Sequence, residues 1–257
     1  MTKIDPYSEA TVPVEQYFNG TLLGVATAFI FEKRERFYLI TNYHVVAMID
    51  PNTGANLHKK AARPNKLRVG FCLPRRDFGK VPIDIPLRDK DDKPLWLVHP
   101  VHKNKIDVVA IPLEHPKKDE FRYEPINRLP KEELSVQIGM DVFVLGYPFG
   151  NLSPGLPVWK RGSIASEPAL VGIGHRYMLI DSASRPGMSG GPVILRSYGT
   201  HLTESGPSIT TEPATRFIGL YSGRLHTKDA LEAQLGMVWP RSLIEEIIDT
   251  PTLDKET

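Results

Sequence analysis

Gly187-Met188-Ser189-Gly190-Gly191-Pro192 sets a serine in a glycine-rich turn, directly ahead of the apolar run Val193-Ile194-Leu195. Glycine admits backbone geometries closed to other residues and lets the chain approach a ligand closely. Two backbone N–H groups can then converge beside the hydroxyl, where a developing oxyanion needs them. The stretch is therefore a candidate nucleophile turn for acyl transfer. A tight turn between two strands would use the same residue types. The choice between the two readings depends on whether a base and an orienting carboxylate exist elsewhere in the chain.

Of the eight histidines, His44 has the most telling context, Tyr38-Leu39-Ile40-Thr41-Asn42-Tyr43-His44-Val45-Val46. An apolar strand runs straight into it and an apolar turn follows, so packing would hold the ring as a general base requires. Among the carboxylates, Asp107 opens the apolar run Val108-Val109-Ala110-Ile111. A buried charge must be paired or hydrogen-bonded. Given to an imidazole, that pairing fixes the tautomer and stabilises the imidazolium. Asp181 is the rival acid, but it stands close in sequence to Ser189 and reads as structural.

Other groupings are weaker. His99-Pro100-Val101-His102 has a spacing that could grip a metal but lacks a third ligand, so no metal site is assigned. Cys72, in Gly70-Phe71-Cys72-Leu73, reads as a buried strand residue with an inert thiol. Neither a GxxxxGK[ST] loop nor a GxGxxG turn is present, and no cofactor is implied.

The bulk composition bounds the class. The chain has 257 residues, 41% hydrophobic and 24% charged, and its 32 basic and 30 acidic residues leave a net charge of +2. A near balance of this kind gives no electrostatic case for nucleic acid or a membrane surface. The basic group Lys59, Lys60, Arg63, Lys66 and Arg68 lacks interleaved aromatics and reads as a solvated loop. A single cysteine rules out an intrachain disulfide. The first twenty residues show no apolar core of a signal peptide, and no run is long enough to span a membrane. The expected location is cytoplasmic.

Short runs rich in Val, Ile, Phe and Tyr recur between turn residues at 21–31, 36–41, 67–73, 108–113, 141–145, 177–181, 192–195, 217–221 and 236–239. They read as strands. The 23 prolines and 20 glycines are spread along the chain, as a many-turned all-β fold requires. Residues 241–248 follow Pro240, put Leu243, Ile244, Ile247 and Ile248 on one face, and read as a helix. A short helix is expected near 45–49. Residues 75–94 read as a long loop or irregular hairpin, 197–215 as a mobile hairpin tip, and both chain ends as frayed. Strands without helical crossovers point to barrels or a sandwich.

The order His44, Asp107, Ser189 is that of the chymotrypsin-like clan, and the flanking motifs resemble its bacterial Deg/HtrA branch. Gly24-Val25-Ala26-Thr27-Ala28-Phe29 is similar to the strand before the histidine, and Thr41-Asn42-Tyr43-His44-Val45-Val46 to the histidine motif. Gly146-Tyr147-Pro148-Phe149-Gly150 and Gly162-Ser163-Ile164-Ala165-Ser166 resemble the Gly-X-Pro-Phe-Gly and Gly-X-Val-Ser segments. Residues 181–192 resemble the nucleophile segment, with Met188 where Asn or Asp stands in the family. Gly219-Leu220-Tyr221-Ser222-Gly223 and Leu235-Gly236-Met237-Val238 fall where the family has its substrate-edge strand and last barrel strand.

The resemblance implies an all-β fold of two six-stranded antiparallel β-barrels with a C-terminal helix. The expected divisions are an N-terminal extension (1–20), a first barrel (21–130), a second barrel with the helix (131–248) and a tail (249–257). It also implies a serine endopeptidase that acts on a protein or peptide through a His44–Asp107–Ser189 triad. The N–H groups of Gly187 and Ser189 would form the oxyanion hole, and Ala183, Ser184, Arg185, Tyr221, Ser222 and Gly223 would line the substrate site. None of the expected pocket-wall residues is acidic, so a small or medium apolar P1 side chain is expected rather than Lys or Arg. Arg185 and Arg224 would instead suit an acidic one. No PDZ domain is expected after the last helix, and latency relieved by a partner protein is expected. A catalytically silent binding or adaptor domain, and a viral or phage polyprotein-processing protease, stay open as alternatives.

Overall fold

The computed structural model describes residues 4–74, 79–116, 119–150, 155–183, 185–225 and 234–255. In chain order its elements are α1 (Pro6–Ala10), β1 (Thr11–Phe18), β2 (Thr21–Lys33), β3 (Arg36–Thr41), α2 (Tyr43–Ala47), β4 (Lys66–Cys72), β5 (Lys80–Pro86), β6 (Val109–Leu113), β7 (Asp141–Gly146), β8 (Val158–Ile164), β9 (Met178–Asp181), β10 (Pro192–Thr203), β11 (Gly206–Arg224), β12 (Leu235–Pro240) and α3 (Arg241–Asp249). Single-turn helices lie at Ile126–Arg128 and Pro168–Leu170. Among the described residues no helix is long and apolar enough to cross a membrane.

The strands form two antiparallel sheets, as a chymotrypsin-like fold requires. The first has six strands in the order β5-β4-β1-β2-β3-β6, and among the described residues its ladder does not close. The second is a closed barrel, β10-β11-β12-β9-β8-β7. Each sheet has its own apolar filling: Val12, Leu39 and Val69 with Trp96 from the segment ahead of β6 in the first, and Val144, Ile180, Leu195 and Val238 in the second. A third cluster joins the two. It includes Phe29, Ile40 and Ala110 from the first sheet and Leu145, Ile194 and Phe217 from the second. The Phe29 and Phe217 rings meet edge-on at 5.2 Å between centroids, a favoured geometry for aromatic pairs. The residues of α3 seal this cluster with Ile244, Ile247 and Ile248, the face read from its spacing.

Five expectations need correction. Residues 1–20 are not a separate extension, because β1 is an inner strand of the first sheet, paired to both β2 and β4. Glu15 and Gln16 blur its alternation, yet Gln16 is buried and its Nε2 donates to the Val45 carbonyl at 2.6 Å. Within 75–94, residues 80–86 are a regular strand, β5. It turns Val81, Ile83 and Ile85 toward the core and its prolines outward, which an edge strand tolerates.

Residues 197–215 are not a loose tip, since β10 and β11 continue as one ladder to the Thr203–Gly206 pair. The segment 132–135 ties that ladder down through Ser135 N–H to the Leu202 carbonyl and Glu132 N–H to the Thr215 carbonyl, each at 2.9 Å. The C-terminal tail is likewise anchored on the first half of the molecule. Val98 N–H donates to Thr252 at 2.9 Å, and Asp254 N–H to Trp96 at 3.2 Å. The expected short helix at 45–49 lies two residues earlier, at Tyr43–Ala47, and contains His44.

Candidate active site

β3 delivers its last residue, Thr41, directly into α2, where Tyr43, Val45, Val46 and Ala47 are all buried. Their packing leaves His44 as the residue of the turn that faces out. Its side chain is 20% exposed, whereas that of Asp107 is 3% exposed. Asp107 stands just ahead of β6, next to β3 in the sheet, so the two residues meet across neighbouring strands. His44 Nδ1 lies 2.7 Å from Asp107 Oδ2, and the His44 backbone N–H donates to Oδ1 at 2.9 Å. The Ser222 hydroxyl makes a short hydrogen bond to Oδ2. Asn42 Nδ2 holds the Asp107 carbonyl at 2.7 Å.

A carboxylate only accepts, so Nδ1 carries the ring proton and Nε2 keeps its lone pair. Burial disfavours the charged ring. The Asp107 carboxylate, by charge and hydrogen bond, and Asp50 by charge outweigh that and hold the imidazole above its ordinary value of 6.5.

The serine turn approaches from the second barrel. His44, Asp107 and Ser189 all line one cavity of about 420 Å³. Among the described residues no hydrogen bond joins His44 to Ser189. The turn is shaped by close backbone contacts. Gly187 has φ +96°, and a Cβ there would collide with the Tyr147 carbonyl. Gly190 has φ +84°, and a Cβ there would collide with the Thr27 carbonyl and the Thr41 hydroxyl. Three successive carbonyls are held: Pro186 by Phe149 N–H at 2.9 Å, Gly187 by the Thr27 hydroxyl at 2.8 Å and Met188 by Gly191 N–H at 3.0 Å. In a trans peptide the N–H points opposite to the C=O. The Gly187 and Ser189 N–H groups are thus turned away from Phe149 and Gly191, and among the described residues neither has a backbone acceptor. Met188 is buried in the apolar core of the second barrel, so the departure from Asn or Asp suits its surroundings.

A family model for the trypsin-like peptidase domain matches residues 26–201. The chain belongs to the trypsin-like peptidase family. Its fold is similar to a serine endoprotease from Yersinia pestis, at a TM-score of 0.50 and 14% identity, over 94% of this chain and 62% of that one. It is also similar to the HtrA-type protease AlgW, solved with a tripeptide, at a TM-score of 0.51 and 15% identity, over 94% of this chain and 60% of that one. The chain therefore spans about three fifths of the length of each of these two structures. No curated protein matches the sequence significantly.

In this member of the trypsin-like peptidase family the other expected site residues divide. Arg185, Tyr221, Ser222 and Gly223 line the cavity; Ala183 does not, and Ser184 lies outside the described residues. Ser222 also bonds Asp107, a contact that nothing in its local sequence signals. A Cβ on Gly223 would stand 3.8 Å from Ser189 Oγ, so the serine side chain faces that glycine. Sequence reasoning missed Asp50, Pro51, Leu57, Tyr177, Leu225 and Trp239, which also line the cavity. Met237 lines the cavity as well, and the Tyr221 ring covers Gly236, where a Cβ would come within 2.5 Å of Cε2. Away from the cavity, Cys72 is buried in β4. His99 accepts the Val101 and His102 N–H groups on Nδ1 and faces Glu246 with Nε2 at 3.0 Å.

Proposed function

We propose that the chain is a serine endopeptidase that hydrolyses peptide bonds through an acyl-enzyme on Ser189. The observation that carries this reading is the His44–Asp107 pair opening onto the same cavity as Ser189. Ser189 Oγ attacks the peptide carbonyl and passes its proton to His44 Nε2. Asp107 holds the imidazolium that results, and the Gly187 and Ser189 N–H groups take the oxyanion. His44 then protonates the departing amine, and water repeats the sequence to release the acid. A substrate strand would pair with the backbone near Tyr221–Gly223, leaving its P1 side chain in the cavity.

The Tyr221 ring packs against Gly236 and would take up room that a long P1 side chain needs, which supports a small or medium apolar P1 residue over Lys or Arg. Cleavage of a peptide library that favoured basic or acidic P1 residues would refute that preference. Latency would take the form of a turned Pro186–Gly187 peptide, with a carbonyl where the oxyanion needs an N–H; the bond from Phe149 opposes that turn. A partner protein would regulate the enzyme by acting on that bond.

A fluorophosphonate probe on the isolated chain tests the reading. Ser189 should be labelled, and Ser189→Ala should lose both labelling and casein cleavage. Cleavage that survives in Ser189→Ala would overturn the proposal. Labelling without any partner present would show that none is needed for activation.

A further inference from the structure

We infer that Thr27, in the first sheet, is a positioning residue for the oxyanion-binding turn of the second barrel; the inference rests on Ser189 being the nucleophile. Thr27 is fully buried in the middle of β2 and makes four hydrogen bonds, three of them across the junction of the two sheets and one within the first sheet. Its N–H donates to the Ser189 carbonyl at 2.8 Å. Its hydroxyl donates to the Gly187 carbonyl at 2.8 Å and accepts the Tyr147 N–H at 3.0 Å. Its own carbonyl accepts the Thr41 hydroxyl at 2.9 Å, one turn ahead of His44.

The geometry around these bonds is tight. A Cβ on Gly190 would collide with the Thr27 carbonyl, and one on Gly146 would stand 3.0 Å from the Thr27 hydroxyl. Two glycines of the second barrel thus form the slot that receives this residue.

The chemical consequence follows from peptide planarity. The N–H groups assigned to the oxyanion belong to the peptides on either side of Gly187–Met188. Of the three carbonyls pinned along the turn, the middle one is held by a side chain, and that side chain comes from the first sheet. The same hydroxyl takes the N–H of Tyr147, two residues before the Phe149 that pins Pro186. One oxygen therefore couples two of the three clamps. A hydroxyl has one proton to donate, and here the Gly187 carbonyl receives it. Valine at this position would keep the shape and lose both bonds, whereas serine would keep both bonds and lose a methyl group.

The test is kinetic, with the two variants compared on one peptide substrate. Thr27→Val should lower kcat by about 100-fold with KM nearly unchanged, the size of effect seen when an oxyanion donor is lost. Thr27→Ser should recover most of that loss. The acid limb of the pH profile should not move in either variant, because the His44–Asp107 pair is untouched. Wild-type kcat in Thr27→Val, equal losses in both variants, or a displaced acid limb would each overturn the role.

Amide hydrogen exchange gives a readout that needs no turnover. In the Thr27→Val protein the Tyr147 and Gly191 N–H groups should lose protection, and unchanged protection would refute the inference. Should Ser189→Ala keep wild-type casein cleavage, the nucleophile reading fails. The exchange result still decides whether Thr27 holds the turn.

Discussion

The two halves of the site are built by different physics. On the first-sheet side, His44 and Asp107 are fixed by charge and side-chain hydrogen bonds: the buried carboxylate takes the imidazole, a backbone N–H and the Ser222 hydroxyl. On the second-barrel side, the Ser189 turn is fixed by backbone carbonyls and by glycines with no room for a Cβ. The first half should therefore respond to changes of charge and pH, and the second to changes of shape.

The largest effect is expected from the shape side. Gly190→Ala places a methyl group against the Thr27 carbonyl at a positive φ. It should abolish turnover and lower the unfolding free energy by about 3 kcal/mol, read from a urea melt. A tolerated alanine there would break the contrast between the halves.

On the charge side, Asp107→Asn should leave the fold intact and reduce kcat by about 10³–10⁴-fold, because the amide no longer selects the productive tautomer. The pH profile carries the same signature. His44 must be neutral to accept a proton, and its pKa is held above 6.5, so kcat/KM should rise along a limb centred above that value. The sign for stability is the reverse. A raised folded pKa stabilises the fold fully below the unfolded value, and the contribution disappears as pH climbs through the folded value.

Ser222→Ala removes one donor from Asp107 and should cost about 1 kcal/mol, a loss of several-fold in kcat/KM. The smallest change is expected for Asp50→Asn. The acid limb should shift down toward 6.5 with the plateau rate unchanged, since Asp50 acts on His44 by charge alone. An acid limb that stays in place would remove Asp50 from the electrostatics of the site.

Much of this was legible in the sequence because the signals are local. A serine among glycines, a histidine at the end of an apolar strand and an aspartate at the start of another each announce a geometry within a few residues. Strands rich in Val, Ile, Phe and Tyr between turn residues were readable from composition, as in 36–41 and 67–73. Segments with mixed signals were not. β1 carries Glu15 and Gln16, β5 carries Pro82 and Pro86, and the outer parts of β10 and β11 are rich in Ser, Thr and Gly. Each is a strand because a neighbouring chain segment completes its ladder or its burial, which composition alone does not register.

The sequence by itself therefore determined the family, the two-sheet all-β fold, the face of α3 and the candidates His44, Asp107 and Ser189. Tertiary structure alone decided that Ser222 completes the shell of Asp107, that Tyr221 covers Gly236 and that Thr27 reaches the Gly187 carbonyl. These contacts join residues far apart in the chain, and their hydrogen bonds and close approaches come into being only when the two sheets pack together.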